Sequence, residues 1–179
     1  SDLNQSMNVD CGNIYEKLKR NNKKRYKKCL KAGFEFERVT EVDSIKKVYK
    51  VLKENREKKG YVLSMDLDSI IKMYKIFDDK VMFFSLINKK EMIASSICIE
   101  FYDNILYCLY WGDLSGYEQY SPITLLASKI YEFAHQNKYL IIDAGTSTIN
   151  ENVNHGLYTF KQNLGFCSSP KFLITLPLK

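Results

Sequence analysis

The sequence predicts an α/β (α+β) domain whose core is a mixed, mostly antiparallel sheet flanked by helices. Three apolar runs rich in β-branched and aromatic residues carry that expectation: VMFFSLI (Val81 to Ile87), MIASSICIEF (Met92 to Phe101) and ILYCLYW (Ile105 to Trp111). Only short polar turns separate them, at Asn88 to Glu91 and at Asp103-Asn104, which is the pattern of an antiparallel meander. Stripes of helical period precede the meander, and a helix–strand–helix–strand order follows it. That order sets one parallel crossover beside the antiparallel pairs and requires helices to cover the sheet.

Taken in order, residues 1–12 read as a polar leader and residues 13–179 as a single domain. The segment Lys17 to Lys31 holds nine basic residues and no acidic one, more than the whole chain's net +6, so the remainder is net acidic. Its apolar residues Ile14, Leu18, Tyr26 and Leu30 fall at multiples of four, the spacing of a basic amphipathic helix that ends at Gly33. Thr40 and Asp43 start a second helix, with Ile45, Val48, Tyr49 and Leu52 recurring to about Glu54. A third begins near Ser64, places Leu67, Ile70, Ile71 and Tyr74 on one face, and stops at Asp78-Asp79.

After the meander, Pro122 suits a first helical turn because its missing N–H would be unpaired there anyway, and Ser121 stands at the N-cap position. Leu125, Leu126, Ile130 and Phe133 mark the buried face of that helix, which runs to about Asn137. YLIID (Tyr139 to Asp143) reads as a short buried strand. A polar loop, Ala144 to Asn152, leads to a helix over Val153 to Leu164 that Gly165 closes, and a last strand covers roughly Phe172 to Leu176.

Composition excludes several classes. With 45% hydrophobic and 27% charged residues the chain is neither disordered nor a coiled coil, and no apolar run reaches the roughly 18 residues of a membrane-spanning helix. The five cysteines (Cys11, Cys29, Cys98, Cys108, Cys167) are scattered and never form C-x-x-C, and only His135 and His155 are present. Neither a disulfide framework nor a transition-metal site is expected, and the compartment reads as reducing and cytoplasmic.

This element order resembles the GNAT acyltransferase fold, and the motifs resemble its Fem-like branch, the peptidoglycan aminoacyl transferases and related polysaccharide-cluster acetyltransferase-like domains. Three features carry the likeness: the basic segment KRNNKKRYKKCLKAGFEF, the strand end Asp143-Ala144-Gly145, and GLYTFKQNLGF from Gly156 to Phe166, similar to a G-x-x-x-F-K-x-x-F/W-G motif. Leu164 stands where an aromatic is usual in that motif. The Q/R-x-x-G-x-G/A loop of ordinary GNAT enzymes is absent, and GDLSGYEQYSP (Gly112 to Pro122) stands in its place. Since members commonly carry two such domains, the resemblance implies the C-terminal half of a longer protein of the bacterial cell-envelope machinery.

The resemblance implies an N-acyltransferase that moves an acyl group from an activated donor, acyl-CoA or acetyl-CoA, to an amino group of a cell-envelope or sugar-linked acceptor. Two alternatives stand beside it: Fem-like transfer from aminoacyl-tRNA to a peptidoglycan precursor, and a non-catalytic binding module working through the basic helix. Lys161 of the F-K motif is the implied catalytic residue, steadying charge at the reacting carbonyl. Its plain alternative is a surface lysine. Asp143, at a strand end that would open on the cleft, is a candidate base or orienting carboxylate, or else a turn residue. Ser121, Pro122, Ile123, Thr124 and Leu125 form the expected donor site, where free backbone N–H groups at a helix N-terminus would hold a pyrophosphate. Trp111, Gly112, Tyr117, Glu118, Tyr120 and Phe160 are expected around the substrate, although with thirteen tyrosines any one of them is more often packing. His155 is a further candidate base. Lys19, Arg20, Lys23, Lys24, Lys27 and Lys28 would offer a phosphate surface to tRNA or another anion, or simply a solvated helix face.

Overall fold

The computed structural model describes residues 2–10, 13–102, 104–149, 152–172 and 174. Seven strands form one sheet in the order β2-β3-β4-β5-β6-β1-β9. They are β1 (Asp2–Asn8), β2 (Glu35–Val39), β3 (Val81–Asn88), β4 (Glu91–Phe101), β5 (Ile105–Asp113), β6 (Ile141–Thr146) and β9 (Cys167–Lys171), and a short hairpin, β7 (Thr148–Ile149) with β8 (Asn152–Val153), stands apart. The helices are α1 (Arg20–Lys31), α2 (Val42–Lys58), α3 (Leu67–Phe77), α4 (Pro122–Gln136) and α5 (His155–Asn163). Every pairing in the main sheet is antiparallel except β5 with β6. The expected mixed, mostly antiparallel sheet is therefore present.

The meander sits where its apolar runs placed it, and all but the last two residues of β3 are buried. One face of the sheet packs α2 and α3 through Ile45, Val48, Leu52 and Ile70 against Val81, Phe83, Ile97 and Tyr110. The other packs α4 through Leu125, Leu126, Ile130 and Tyr131 against Met82, Phe84, Cys98 and Leu106, with α1 and Phe166 on its flank. A bulge links the two cores: Ile97 pairs with Tyr110 and Cys98 with Cys108, leaving Leu109 as the extra residue of β5. A bulge reverses which face later side chains meet. Tyr110 accordingly joins the α2–α3 core while Trp111 turns to the α4 side.

Four expectations are corrected. The polar leader contains β1, which hydrogen-bonds to β6 on one edge and β9 on the other. Its inward residues are Met7 and the wholly buried Gln5, whose amide donates to the Tyr158 carbonyl (3.2 Å) and accepts from Ser147 Oγ (2.5 Å). A second strand missing from the sequence reading, β2, is the charged edge of the sheet, held by Phe36 stacking on Phe84 at 5.5 Å. The basic helix begins only at Arg20, and its buried face is Asn22 and Cys29, while Leu30 is exposed. Finally, the last described strand is β9, earlier than expected; Phe172 and Ile174 are exposed, and residues 173, 175 and 176 of the expected strand lie outside the described residues.

Candidate active site

Strands β5 and β6 pair at only three positions, Ile105 with Ile141, Leu106 with Ile142 and Tyr107 with Asp143. Beyond Tyr107 they part, β5 continuing to Asp113 and β6 to Thr146. A cavity of about 540 Å³ fills the opening, lined by the ends of both strands, the last turn of α2, the start of α4 and one face of α5. That volume suits a small molecule or one end of a larger one.

Lys161 enters this opening from α5. Asn154 caps the helix by accepting from the Leu157 N–H at 3.0 Å, which sets the helix against the end of β6. The lysine is 1% exposed, and its Nζ donates to the carbonyls of Gly145 (3.0 Å) and Thr146 (2.9 Å). Successive carbonyls of a regular strand point to opposite sides, so one ammonium reaches both only because Gly145 adopts φ 70°, a conformation that favours glycine. Burial lowers the lysine's pKa to about 8; Asp143 and Cys108 oppose that shift and Arg56 adds to it. The ammonium thus keeps one N–H for the cavity that it lines.

Asp143 holds the turn at the end of β6 and does not line the cavity. Its Oδ1 accepts from the Gly145 N–H (2.7 Å) and from Asn4 Nδ2 (3.1 Å), and it lies outside the cavity lining. The carboxylate therefore supports the conformation that presents the two carbonyls to Lys161. His155 is the first residue of α5 and also lies outside the lining.

The start of α4 differs from the expected phosphate site. Ser121 stands at the cap position with φ 54°, but its hydroxyl meets Thr124 Oγ1 at 3.3 Å and caps no N–H. Pro122 has no N–H, the Ile123 N–H stabilises the Asp113 carboxylate, and the Thr124 N–H donates to the Ser121 carbonyl at 2.9 Å. The chain's own groups use the donors that a diphosphate would need. Pro122, Thr124 and Leu125 are buried away from the cavity, which only Ser121 and Ile123 reach.

Asp113 itself is clasped by Asn55, whose Nδ2 donates to its carbonyl (2.7 Å) and its Oδ1 (3.2 Å). Burial raises the Asp113 pKa, while Lys59 and the Ile123 N–H counter the rise. This contact explains Gly112, where a Cβ would stand 2.8 Å from Asn55 Cγ. Trp111 and Phe160 line the cavity, their rings edge-on at 6.0 Å.

Tyr117, Glu118 and Tyr120 do not. Tyr117 donates to Glu91 Oε2 (2.6 Å), Glu118 pairs with Lys58 (2.9 Å), and Tyr120 packs edge-on against Phe34 at 5.2 Å. They fasten the loop before α4 to its surroundings. Lys19, Arg20, Lys23, Lys24, Lys27 and Lys28 lie on or next to α1, likewise away from the cavity, and form a separate cationic surface. Sequence reading overlooked Asn55, Arg56, Lys59, Tyr107 and Asp113. An Arg/Lys pair three residues apart just before Gly60, facing one side of a helix, is the signal that could have found two of them. Among the described residues no cluster of His, Cys, Asp or Glu could hold a metal ion, and no helix is long and apolar enough to cross a membrane.

No protein-family model and no curated protein sequence matches the chain. Solved structures do. FemX superposes with a TM-score of 0.79 at 13% identity, covering 93% of this chain and 59% of FemX. The C-terminal domain of a putative lysylphosphatidylglycerol synthetase from Agrobacterium fabrum gives 0.67 at 11% identity, over 94% of this chain and 58% of that one. A possible acetyltransferase from Clostridium difficile 630 gives 0.56 at 14% identity, over 81% of this chain and 99% of that one. The chain has the GNAT fold in a form similar to FemX, and it spans under three fifths of the length of FemX and of the synthetase domain.

Proposed function

We propose that the chain is the catalytic domain of an acyltransferase that joins an activated acyl ester to an amino group of a cell-envelope or sugar-linked acceptor, with Lys161 polarising the reacting carbonyl. The observation that carries this reading is the buried ammonium, fixed by the Gly145 and Thr146 carbonyls at the opening between β5 and β6. The acceptor nitrogen forms a bond to the acyl carbon, the ester C–O bond breaks, and the amine proton passes to the departing alkoxide. Negative charge gathers on the carbonyl oxygen midway, where the remaining N–H of Lys161 meets it. A donor that is already oriented needs no reorganisation as the charge develops, and one such donor is worth roughly 10²–10³ in rate. Holding two substrates together contributes more, up to about 7 to 11 kcal/mol in ideal cases, so few conspicuous catalytic groups are needed.

For the donor, we favour an aminoacyl ester carried by tRNA. The start of α4 offers no free pair of N–H groups to a CoA diphosphate, because Asp113 and Ser121 take them. The likenesses to FemX and to a putative lysylphosphatidylglycerol synthetase agree with this choice. Acyl-CoA is the second reading, supported by the fit to an acetyltransferase over 99% of its length. The deciding experiment measures transfer from labelled aminoacyl-tRNA and from labelled acetyl-CoA to a pool of peptidoglycan precursors and UDP-sugars. Thermal denaturation is followed alongside, since a ligand at a hundredfold its Kd adds about 2.7 kcal/mol. Transfer from aminoacyl-tRNA that Lys161→Met abolishes is the expected result. Transfer from acetyl-CoA alone would move the donor to the second reading. If neither donor is used while tRNA binds with steep salt dependence, the domain is a binding module and the transferase reading fails.

A further inference from the structure

Cys108 is the first residue of β5 beyond its last pairing with β6, and it lines the cavity. Directly across on β4 stands Cys98, wholly buried and outside the lining, with its Sγ 3.7 Å from that of Cys108. Neither takes part in the proposed transfer. The plain reading of two buried cysteines is a pair of small apolar side chains in the α4-side core. Their position argues for more. Opposed residues of an antiparallel pair have Cα atoms about 4.5 to 5.5 Å apart, inside the roughly 4.4–6.8 Å that a disulfide spans, so closing the bond needs mainly side-chain rotation. The hydrogen bond with Cys98 and burial hold the Cys108 pKa well above the ordinary thiol value, against Lys161, which favours the thiolate. The resting thiol is therefore slow to react, and an oxidant small enough to enter the cavity meets Cys108 before Cys98.

We infer that Cys98 and Cys108 are a redox-active dithiol at the base of the opening between β5 and β6, which a hydroperoxide entering the cavity closes to a disulfide. The Cys108 sulfur attacks one peroxide oxygen and the O–O bond breaks, leaving a sulfenic acid and one water when the oxidant is hydrogen peroxide. The Cys98 sulfur then attacks the Cys108 sulfur, the S–O bond breaks, and a second water departs. The two thiols lose two electrons and two protons, and the peroxide is reduced by the same two electrons. Closure brings the sulfurs from 3.7 Å to about 2 Å and draws Cys108 from the cavity wall toward β4. Displacements on the order of 1 Å at a reacting site can cost about 10² in rate. The disulfide form is thus a slowed form of the protein that thiol reductants restore.

The test begins with the wild-type chain, treated with hydrogen peroxide, unfolded, alkylated with iodoacetamide and mapped by mass spectrometry after chymotryptic digestion. Exposed Cys167 reports that the oxidant acts. Cys29, buried outside the lining with its Sγ donating to the Tyr120 carbonyl at 3.3 Å, reports that the core stays closed. A Cys98–Cys108 linkage beside an alkylated Cys29, undone by dithiothreitol, is the expected result. Oxidised Cys167 beside reduced Cys98 and Cys108 overturns the dithiol, and oxidation of Cys29 along with them overturns entry by the cavity. Cys98→Ala should stop at a sulfenic acid on Cys108 that dimedone traps, whereas Cys108→Ala should leave Cys98 reduced; the opposite labelling also overturns the cavity route. The effect on catalysis rests on the transferase reading. Oxidised protein should transfer at least about tenfold more slowly and recover with dithiothreitol, while Cys98→Ala/Cys108→Ala should respond to neither reagent. Linkage with transfer unchanged would keep the dithiol and discard its control of the cavity. Linkage in a protein that transfers from no donor, reduced or oxidised, would keep the dithiol and discard the transferase.

Discussion

Two cationic regions of this molecule differ in number and in physics. Along α1 and the residues before it, nine basic side chains stand over the surface. Several are spent on docking the helix: Lys23 and Lys27 lie over the Tyr15 ring at 5.2 and 5.3 Å, and Lys28 over Tyr120 at 4.9 Å. Among the described residues, the cations lining the cavity are Lys161, Arg56 and Lys59. Yet Lys161 is buried, held by two fixed carbonyls, and shifted toward neutrality. Water and salt weaken each surface charge, whereas a buried ammonium is screened much less from whatever enters beside it. In the transferase reading proposed above, the smaller cluster is the one that does chemistry.

The contrast breaks most sharply at Lys161. Lys161→Met should cut transfer by roughly 10²–10³, the scale of removing one oxyanion donor. Its melting temperature should move little, because replacing a buried charge by an apolar side chain of like size tends to stabilise, which offsets the two carbonyls left unpaired. A large loss of stability with the activity would instead make Lys161 structural. Removing any single α1 lysine should leave transfer within about twofold, on the footing that isolated surface substitutions change stability by no more than about 0.5 kcal/mol.

Glycine substitutions compare the same two regions through packing. Gly112→Ala puts a Cβ 2.8 to 2.9 Å from three atoms of Asn55, a buried residue whose amide clasps Asp113. Overpacking of that kind costs about 1 to 3 kcal/mol, and freeing Asp113 should lower transfer beyond what the stability loss explains. Gly33→Ala, just past α1, meets open space at φ 73°. It should cost only the left-handed backbone penalty, about 1 to 2 kcal/mol, with activity unchanged once the protein is folded. Chemical denaturation of both variants beside a transfer assay checks the difference.

How much of this is legible in the sequence follows from where the signals lie. The meander and α4 declare themselves because their buried faces are apolar and their ends carry turn residues or Pro122. Strand β1 does not, since its fully buried inward residue is Gln5, satisfied by Ser147 and Tyr158 from far along the chain. Lys161 is legible only through its motif: periodicity cannot tell a lysine that meets two strand carbonyls from one in water. At α4 the local signs of a helix start are sound, but Asp113, ten residues before Ile123, fills the N-terminus, and no local pattern announces that contact. Arg56 and Lys59 look like ordinary last-turn cations until β5 and β6 part beside them.

Acidity separates the regions next. Burial holds the Lys161 pKa at about 8, below its ordinary 10.5. If the ammonium is the working form, transfer should fall about tenfold per pH unit above 8. Stability should move the opposite way in that window: an unfolded lysine keeps its proton to about 10.5, so between 8 and 10.5 the unfolded chain binds more protons and folding gains as pH rises. Lys161→Met should lose both trends together. Transfer that rises through pH 8 in the wild type and not in the variant would show that the neutral amine works as a base instead.

The smallest effect on the fold, and the sharpest on binding, belongs to α1. Changing Lys23, Lys24, Lys27 and Lys28 to glutamine takes the cations away from the Tyr15 and Tyr120 rings, at about 0.5 to 1 kcal/mol for each exposed cation–π pair. It also relieves like-charge repulsion along one helix. The two terms oppose, so the net change in stability should stay near 1 kcal/mol or less. If these lysines neutralise tRNA phosphates, the slope of log affinity against log salt should flatten by about 0.7 to 0.9 for each phosphate no longer neutralised, while Lys161→Met leaves the slope as it was. A slope unchanged by the four substitutions would remove α1 from donor binding. The transferase reading would then need another path for the tRNA, while the cavity and its ammonium would stand as before.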